Sequence, residues 1–266
     1  MGHLGTLKGL VSPHIDYNRG KSTYAHLWAH ANPYMTDIEQ LIVLGTDHNG
    51  GLGSITPTRQ NYSTPFGTLR TDMVAVGEIL ENLDEETVDN EELHHLSEHS
   101  IELALVWAHY FIKKKTISVI PILCGSFQHF INDRKYPDVD EKISNFVEVL
   151  KRISDRKKTL IIAAGDLAHV GPQFGDSSKY DGEEKTILEG KDRETLTAIE
   201  NGDADKFFSL SMEEQDSRKI CGLSSIYLML RVIGNTEGKT IQYDQCPADE
   251  ANTSLVSIAG SLLFTT

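Results

Sequence analysis

Three apolar segments, each followed by a polar tip that carries histidine, place the strongest constraint on how this chain folds. Residues 7–16 read LKGLVSPHID, residues 40–50 read QLIVLGTDHNG and residues 159–171 read TLIIAAGDLAHVG. Short apolar runs bounded by glycine and polar residues predict buried strands. In open α/β sheets, ligand sites form outside the carboxyl ends of the strands. Side chains that follow the three strands are therefore expected to share one site. They are His14, His48, Asp166 and His169.

The order of the other segments predicts an α/β fold. Apolar residues at helical spacing recur between the strand candidates. Two further strand candidates, residues 239–245 and 254–264, have no helix between them, so part of the sheet is expected to be antiparallel. Nothing resembles a domain linker or a repeat of solenoid period. We therefore predict a single domain over residues 1–266, with a central mixed β-sheet flanked by helices on both faces.

Composition argues against several classes of partner and compartment. Asp and Glu number 39 against 25 Lys and Arg, a formal net charge of −14, which disfavours binding to nucleic acid or an anionic membrane. No segment reaches the roughly 20 apolar residues that a membrane-spanning helix needs. Three cysteines, Cys124, Cys221 and Cys246, are an odd number without a disulfide-framework spacing. Free thiols of this kind predict a reducing compartment, and hence a cytoplasmic protein.

The histidines at the strand tips predict a metal site. Neutral imidazoles of His14 and His48, together with one anionic ligand, would form a three-point site that leaves coordination positions open. Asp16, Asp47 and Cys221 are the candidates for that anion. A carboxylate would give the set typical of non-haem Fe(II), whereas a thiolate would favour copper or zinc. Local sequence leaves this choice open.

Acid–base and nucleophilic roles are also predicted near the strand tips. Asp166 and His169 lie three positions apart, and a histidine with a pKa of about 6.5 can exchange protons at neutral pH while a carboxylate orients it. Cys221 lies at the start of a predicted helix, whose dipole favours the thiolate. Paired with one of the histidines, that thiolate would suit a cysteine hydrolase. GxSxG, P-loop and strand-following GxGxxG motifs are missing.

Four local predictions concern the surroundings of this site. Residues 50–72, rich in Gly, Ser, Thr and Pro, predict a binding loop in which Arg59 and Arg70 meet an anionic substrate. Ser97 is predicted to cap the helix that follows it. A helix over residues 183–202 is expected to be interrupted near Gly190.

The fourth concerns two neighbouring histidines of a polar connector. His94 and His95 belong to the sequence LHHLSE and are predicted to be solvated.

An ordered set of motifs resembles a known family. SPHIDYNRG, LGTDHNG, TPFG, EHSIE, IPILCG, GDLAHVG and a late ICG resemble the Memo family, also called AmmeMemoRadiSam system protein B. That family is similar in fold to class III extradiol dioxygenases. The resemblance extends from about Gly9 to the final strand, and His99 and Glu102 in EHSIE match a further motif of the family. The order of the motifs is specific, although each motif alone is weak.

The resemblance implies a set of site residues and a chemistry. It implies that His14, His48 and Cys221 hold a metal and that Asp166, His169 and Cys221 form the catalytic group of the same pocket. In ring-cleaving dioxygenases the third metal ligand is a glutamate, whereas the matching position here resembles Cys221. The implied cofactor is a divalent or redox metal ion, Fe, Cu or Zn, which can be lost during purification.

Two kinds of function follow from the resemblance and remain open. One is a metal-dependent, dioxygenase-like oxidoreductase that acts on an unknown small molecule. The other is a scaffold that binds a small ligand or peptide without catalysis. The cysteine-dependent hydrolase remains a third alternative, and a homo-oligomer is compatible with each of them.

Overall fold

The computed structural model describes residues 5–83, 91–112 and 117–265. Within these ranges a mixed sheet of ten strands is flanked by eight α-helices. The strands are β1 (Thr6–Ser12), β2 (Gln40–Thr46), β3 (Ile55–Pro57), β4 (Tyr62–Thr64), β5 (Gly67–Thr71), β6 (Ser118–Cys124), β7 (Thr159–Ala164), β8 (His169–Val170), β9 (Glu237–Pro247) and β10 (Leu255–Thr265). The helices are α1 (Tyr17–Ala31), α2 (Met73–Leu80), α3 (Ser100–Phe111), α4 (Gln128–Asp133), α5 (Glu141–Ser154), α6 (Gly182–Glu200), α7 (Ala204–Glu213) and α8 (Leu223–Ile233).

A parallel core of five strands forms the centre of the sheet. Its order is β5, β6, β2, β7 and β1, and each neighbouring pair is parallel. Strand β10 pairs antiparallel with β1, β8 and β9, so the predicted antiparallel end is confirmed. Because β1, β7 and β2 are adjacent and parallel, their carboxyl ends lie at the same edge.

Two apolar clusters cover opposite faces of this sheet. Successive side chains of a strand point to opposite faces. Accordingly, Ile42 and Leu44 of β2 pack in a cluster with residues of α2, α5 and α8, whereas Leu41 and Val43 pack in a cluster with residues of α1 and α3. All seven residues of β2 are buried. The predicted mixed sheet with helices on both faces is confirmed.

Helix α1 shows how local sequence fixes the turn after β1. The Asp16 carboxylate accepts a hydrogen bond from the Arg19 amide at 3.1 Å and caps the helix, a contribution of about 1 kcal/mol. Tyr24, Leu27 and Trp28 then bury one face of the helix against the sheet. The cap and the buried face together set where the chain leaves the tip of β1.

Residues 50–72 are more regular than predicted. They form β3, which pairs antiparallel with β6, and the β4–β5 hairpin, whose β5 strand pairs parallel with β6. The segment therefore extends the sheet next to β6 instead of forming one irregular loop.

Helix α6 is continuous, so the predicted interruption near Gly190 is wrong. A Cβ atom at this position would have no heavy atom within 4 Å, so the glycine neither packs closely nor turns the chain. In the part of the chain that the structure describes, no helix has both the length and the apolar character of a membrane span.

Candidate metal centre

The candidate centre lies where three parallel strands end and one helix begins. His14, His48 and Asp166 each follow the last residue of their strand by two positions, after β1, β2 and β7 respectively. Cys221 lies two positions before α8. Gly165 permits this approach, since a Cβ atom there would lie 2.4 Å from the Cα atom of Gly222. The chain before α8 therefore packs directly against the tip of β7.

The three predicted metal ligands come together. One ligand atom from each of His14, His48 and Cys221 lies within 4.8 Å of the other two. The His14 Nε2 and Cys221 Sγ atoms are 3.3 Å apart, and the His14 and His48 ring centroids are 5.0 Å apart. Of the alternative anions, Asp16 is paired with Arg19 at the start of α1 and Asp47 contacts His94. Cys221 is therefore the third member of the geometric cluster.

His14 is held in one orientation by its surroundings. Its Nδ1–H donates to the carbonyl oxygen of Ala164 at 3.1 Å, which leaves Nε2 with a free lone pair. The Asp166 carboxylate fixes the backbone by accepting the amides of His14 and Ile15 at 2.8 and 3.3 Å. Burial lowers the pKa of His14 because the charged imidazolium loses solvation, an effect that outweighs the attraction of Asp166. A neutral imidazole is the form that binds metal.

His48 is oriented by a carboxylate from the start of α3. Glu98 accepts a hydrogen bond from His48 Nδ1–H at 2.9 Å, so in the neutral form of the ring Nε2 carries the lone pair. Glu98 also accepts the amides of His99 and Ser100 at 2.8 and 3.2 Å. Burial disfavours the Glu98 anion, yet the hydrogen bonds from His48 and from these amides outweigh it and lower the pKa of Glu98 to about 2. The same hydrogen bond raises the pKa of His48.

Glu98 performs the role that was predicted for Ser97. The Ser97 hydroxyl donates to the His94 carbonyl oxygen at 3.4 Å and does not cap α3, so the predicted cap is wrong. The amides at the start of α3 are satisfied by the Glu98 carboxylate instead. In the sequence, the motif EHSIE places an acidic residue and a histidine directly before an apolar helix. This pattern is the signal that could have indicated the role of Glu98.

The environment of Cys221 favours the neutral thiol. Burial raises the pKa of Cys221 well above its usual value, and the negative charge of Asp166 raises it further. Its Sγ–H group lies 3.6 Å from the carbonyl oxygen of Asp166. The thiolate predicted from the helix dipole alone is therefore wrong, because desolvation and a neighbouring carboxylate oppose it.

His169 and Asp166 line the same centre. Together with Cys221 they form a second set of three potential ligands whose atoms lie within 4.8 Å of one another. The His169 amide donates to the carbonyl oxygen of Arg218 at 2.7 Å, and its Nδ1–H donates to that of Leu167 at 3.3 Å. Burial lowers the pKa of His169. The ring is therefore neutral near pH 7, with Nε2 able to accept a proton.

An open cleft of about 780 Å³ leads to this centre. His14, His48, His99, Asp166 and His169 supply its polar wall. Its apolar wall includes Ile15, Leu103, Phe174 and Val256. The cleft combines a few convergent polar groups with apolar surface, as small-ligand sites do.

The predicted anion-binding arginines are elsewhere. Arg59 is exposed, and its backbone amide donates to the Glu92 carboxylate. Arg70 of β5 lies opposite Ser118 in the strand register. Ser118 is at the amino end of β6, whereas the candidate centre lies at the carboxyl ends of the parallel strands. This prediction is wrong because β-pairing with β6 sets the direction of residues 50–72. Arg19 lines the cleft instead, with its guanidinium held by Asp16 at 2.6 Å.

Both connector histidines have partners, so their predicted solvated state is also wrong. His94 Nδ1 lies 2.8 Å from the Asp47 carboxylate. His95 accepts the Tyr62 hydroxyl at 2.7 Å through Nδ1 and donates through Nε2 to the Thr56 carbonyl oxygen at 2.8 Å. A short 3₁₀ helix, Glu92–Leu96, brings the two rings against the β2 tip and the extended segment that follows it.

Comparisons with known proteins agree with the motifs. The family model described as "Memo-like protein" matches residues 3–262. A "MEMO1 family protein" of Aquifex aeolicus (strain VF5) is 24% identical over 263 residues, which cover 97% of this chain and 64% of the relative. One of Nitrosopumilus maritimus (strain SCM1) is 24% identical over 263 residues, covering 96% and 84%.

A eukaryotic relative gives a similar match. "Protein memo-1 homolog" of Caenorhabditis elegans is 25% identical over 275 residues, covering 98% of this chain and 73% of the relative. The chain thus spans less than two thirds of the Aquifex relative and about three quarters of the nematode one.

Proposed function

The chain belongs to the Memo-like protein family, and from that premise we propose that it binds one transition-metal ion through His14, His48 and Cys221. The observation that carries this proposal is the convergence of one ligand atom from each residue within 4.8 Å. Separate elements deliver the three side chains, namely the tips of β1 and β2 and the start of α8.

The donor set suits a metal of the Fe, Cu or Zn group. Two imidazoles and one sulfur are ligands that these ions accept, and three protein ligands leave at least one coordination position open. Both imidazoles donate their Nδ1–H to fixed oxygens, those of Ala164 and Glu98, so their Nε2 atoms are prepared to bind. Metal binding would displace the thiol proton of Cys221, which makes the affinity depend on pH.

We assign the reaction to metal-dependent oxidoreductases related to the class III extradiol dioxygenases. When bound, the ion would supply redox or Lewis-acid chemistry. His169, neutral near pH 7, accepts a proton from the substrate at Nε2. Asp166 holds the His14 backbone through two hydrogen bonds, and Arg19 at the cleft attracts an anionic group.

The cysteine hydrolase has less support. Such an enzyme uses a thiolate beside an imidazolium. Here burial raises the pKa of Cys221 and lowers that of His14, so the neutral pair is favoured over the ion pair. In a metal centre, the Cys221 thiolate would bind the ion in place of its proton, and His14 would remain neutral.

A non-catalytic binding role is the second candidate. The cleft of about 780 Å³, with an apolar wall that includes Leu103, Phe174 and Val256, would accept a small molecule or a short peptide without any reaction. In either role we place the protein in the cytoplasm, because its three cysteines are free.

Two experiments separate these proposals. Anaerobic reconstitution with Fe(II), Cu or Zn, followed by elemental analysis, is expected to give about one equivalent in the wild type. The metal should be lost in His14→Ala, His48→Ala and Cys221→Ala but retained in His30→Ala, which removes an exposed histidine of α1. Equal metal content in all variants would refute the metal site.

Oxygen uptake then tests catalysis. Metal-loaded protein is assayed with a panel of catechols and thiols. Substrate-dependent consumption that disappears in His48→Ala would support the oxidoreductase. Metal binding without any consumption would favour the binding role.

A further inference from the structure

A second group of potential ligands lies beside the β2 tip. One ligand atom from each of Asp47, Glu91 and His94 lies within 4.8 Å of the other two. The Asp47 side chain is fully buried, whereas 26% of the His94 side chain is exposed. Asp47 precedes His48, yet these three residues share no side chain with the cluster around Cys221.

A buried hydroxyl faces the same space. The Oγ atom of Ser54 lies beside the Glu91 carboxylate and helps to lower its pKa, but it makes no hydrogen bond of good geometry, and the residue is 3% exposed. A Cβ atom at Gly50 would lie 2.6 Å from Asp47 Oδ2 and 2.8 Å from Ser54 Oγ, so both oxygens border one small volume. A Cβ atom at Gly51 would lie 3.0 Å from Glu91 Oε1. The two glycines keep this volume free of side chains.

The group also carries two negative charges close together. Hydrogen bonds from two backbone amides and from the Thr56 hydroxyl stabilise the two carboxylates in part, and they add no positive charge. In residues 5–83, 91–112 and 117–265, no Lys or Arg makes an ion pair with Asp47 or Glu91, and His94 is the basic group that contacts Asp47, at 2.8 Å. A neutral His94 offers its Nδ1 lone pair to a metal, whereas a protonated His94 supplies one positive charge for two negative ones.

We propose that Asp47, Glu91 and His94 form a second divalent-metal site, with the Ser54 hydroxyl as a neutral fourth donor. Two carboxylates, one imidazole and one hydroxyl are ligands for a first-row cation of intermediate hardness such as Mn²⁺ or Zn²⁺. With metal–ligand bonds of roughly 2.1 Å, neighbouring ligand atoms lie roughly 3 Å apart, close to the present spacing of His94 and Asp47. The exposed edge of His94 is the entry route.

The second site would stabilise the surroundings of the first. It joins the segment that carries Glu91 and His94 to the tip of β2. The same segment leads to Glu98, which orients His48. Occupation of the second site would therefore hold the residues that position His48, although its existence does not depend on the function proposed above.

Mn²⁺ is the probe that separates the two sites, because it prefers oxygen ligands to thiolate. Metal-depleted protein is titrated with Mn²⁺, and the free ion is followed by electron paramagnetic resonance. We expect about one bound equivalent in the wild type and in Cys221→Ser. Glu91→Gln and His94→Ala should each weaken binding about tenfold or more.

Glu92→Gln is the matched control, since it removes the same charge one residue away and should leave Mn²⁺ affinity within about twofold. Circular dichroism of each variant checks folding. Absence of Mn²⁺ binding, or equal affinity in wild type and Glu91→Gln, would overturn the proposal. If Glu92→Gln weakened Mn²⁺ binding as much as Glu91→Gln, the proposal would also be overturned. The same holds if Mn²⁺ binding were lost in His14→Ala and kept in Glu91→Gln.

Discussion

The Sγ atom of Cys221 lies 3.3 Å from Nε2 of His14, although 207 positions separate the two residues in the chain. The contact joins the start of α8 to the tip of β1. Burial lowers the pKa of His14 and raises that of Cys221, so both groups favour their neutral forms. The pair therefore brings an imidazole nitrogen and a thiol together as candidate metal ligands.

Removing the carboxylate that orients His48 should weaken metal binding. In Glu98→Gln the Nδ1–H of His48 loses its charged acceptor, and we expect metal affinity to fall about 10- to 100-fold. Chelator competition measures the dissociation constant. Glu102→Gln, one helical turn further on, is the control and should leave affinity unchanged. Equal losses in both variants would show that net charge, and not orientation, matters.

Adding one methyl group behind the cluster should separate Cys221 from His14. In Gly165→Ala the new Cβ atom would lie 2.4 Å from the Cα atom of Gly222, so the start of α8 must move. We expect a loss of about 1–3 kcal/mol in the free energy of unfolding, together with reduced metal content.

Gly190→Ala is the matched control for that substitution. It adds a methyl group in open space within α6 and should increase stability by about 0.5–1 kcal/mol. Urea denaturation measures both variants. A stable Gly165→Ala protein with full metal content would contradict the packing described here.

The buried arginine next to the cleft should be essential for stability. The Arg218 guanidinium donates to Asp192 at 2.6 Å and to Thr195 at 3.0 Å, and its backbone carbonyl accepts the His169 amide. Arg218→Met leaves Asp192 buried without its cation, so we expect a loss of about 3–5 kcal/mol.

The control for Arg218 is a solvent-exposed ion pair. Lys206→Met breaks the pair with Glu194, whose side chain is 57% exposed, and should change stability by less than about 1 kcal/mol. Thermal denaturation compares the two. A loss in Lys206→Met as large as that in Arg218→Met would contradict a special role for the buried arginine.

Asp216 should make the fold less stable as pH rises. Burial raises the pKa of Asp216 from 3.8 to about 6. The folded state therefore binds this proton more tightly than the unfolded chain, and stability falls as pH rises from about 4 to about 6. The full shift corresponds to roughly 3 kcal/mol, and partial exposure reduces it.

Asp216→Asn should accordingly stabilise the protein by about 1–2 kcal/mol at pH 7, with the gain disappearing below about pH 4. Asparagine tolerates the positive φ of 53° and keeps an oxygen for the Ile220 amide. Asp133→Asn, at a side chain that is 61% exposed, is the surface control. Denaturation curves across this pH range give the measurement. A gain that is constant with pH would contradict the raised pKa.

The strand tips and most of the architecture were predictable from sequence. His14 and His48 follow apolar runs long enough to be buried strands, and parallel strands present their carboxyl ends at one edge. Local sequence leaves three candidates for the third metal ligand, and only the ordered motifs of the family favour Cys221 among them. Its contact with His14 depends on the Gly165–Gly222 approach, which no local pattern reveals.

The remaining features depend on tertiary contacts. Glu98 meets His48 across 50 positions of sequence. Arg59 and Arg70 lie away from the predicted site because pairing with β6, not composition, sets the path of residues 50–72. The protonation of Cys221 differs from the prediction because the helix dipole is visible in the sequence, whereas burial and the nearby Asp166 are not.

The most direct test of the central claim is the absorption spectrum of protein loaded with Co²⁺, in which a thiolate-to-cobalt charge-transfer band reports a metal–sulfur bond. We predict the band in wild type, its loss in Cys221→Ser, and its retention in Cys246→Ser, since Cys246 is buried elsewhere. Co²⁺ uptake without the band, or a band that persists in Cys221→Ser, would contradict a metal centre built on Cys221.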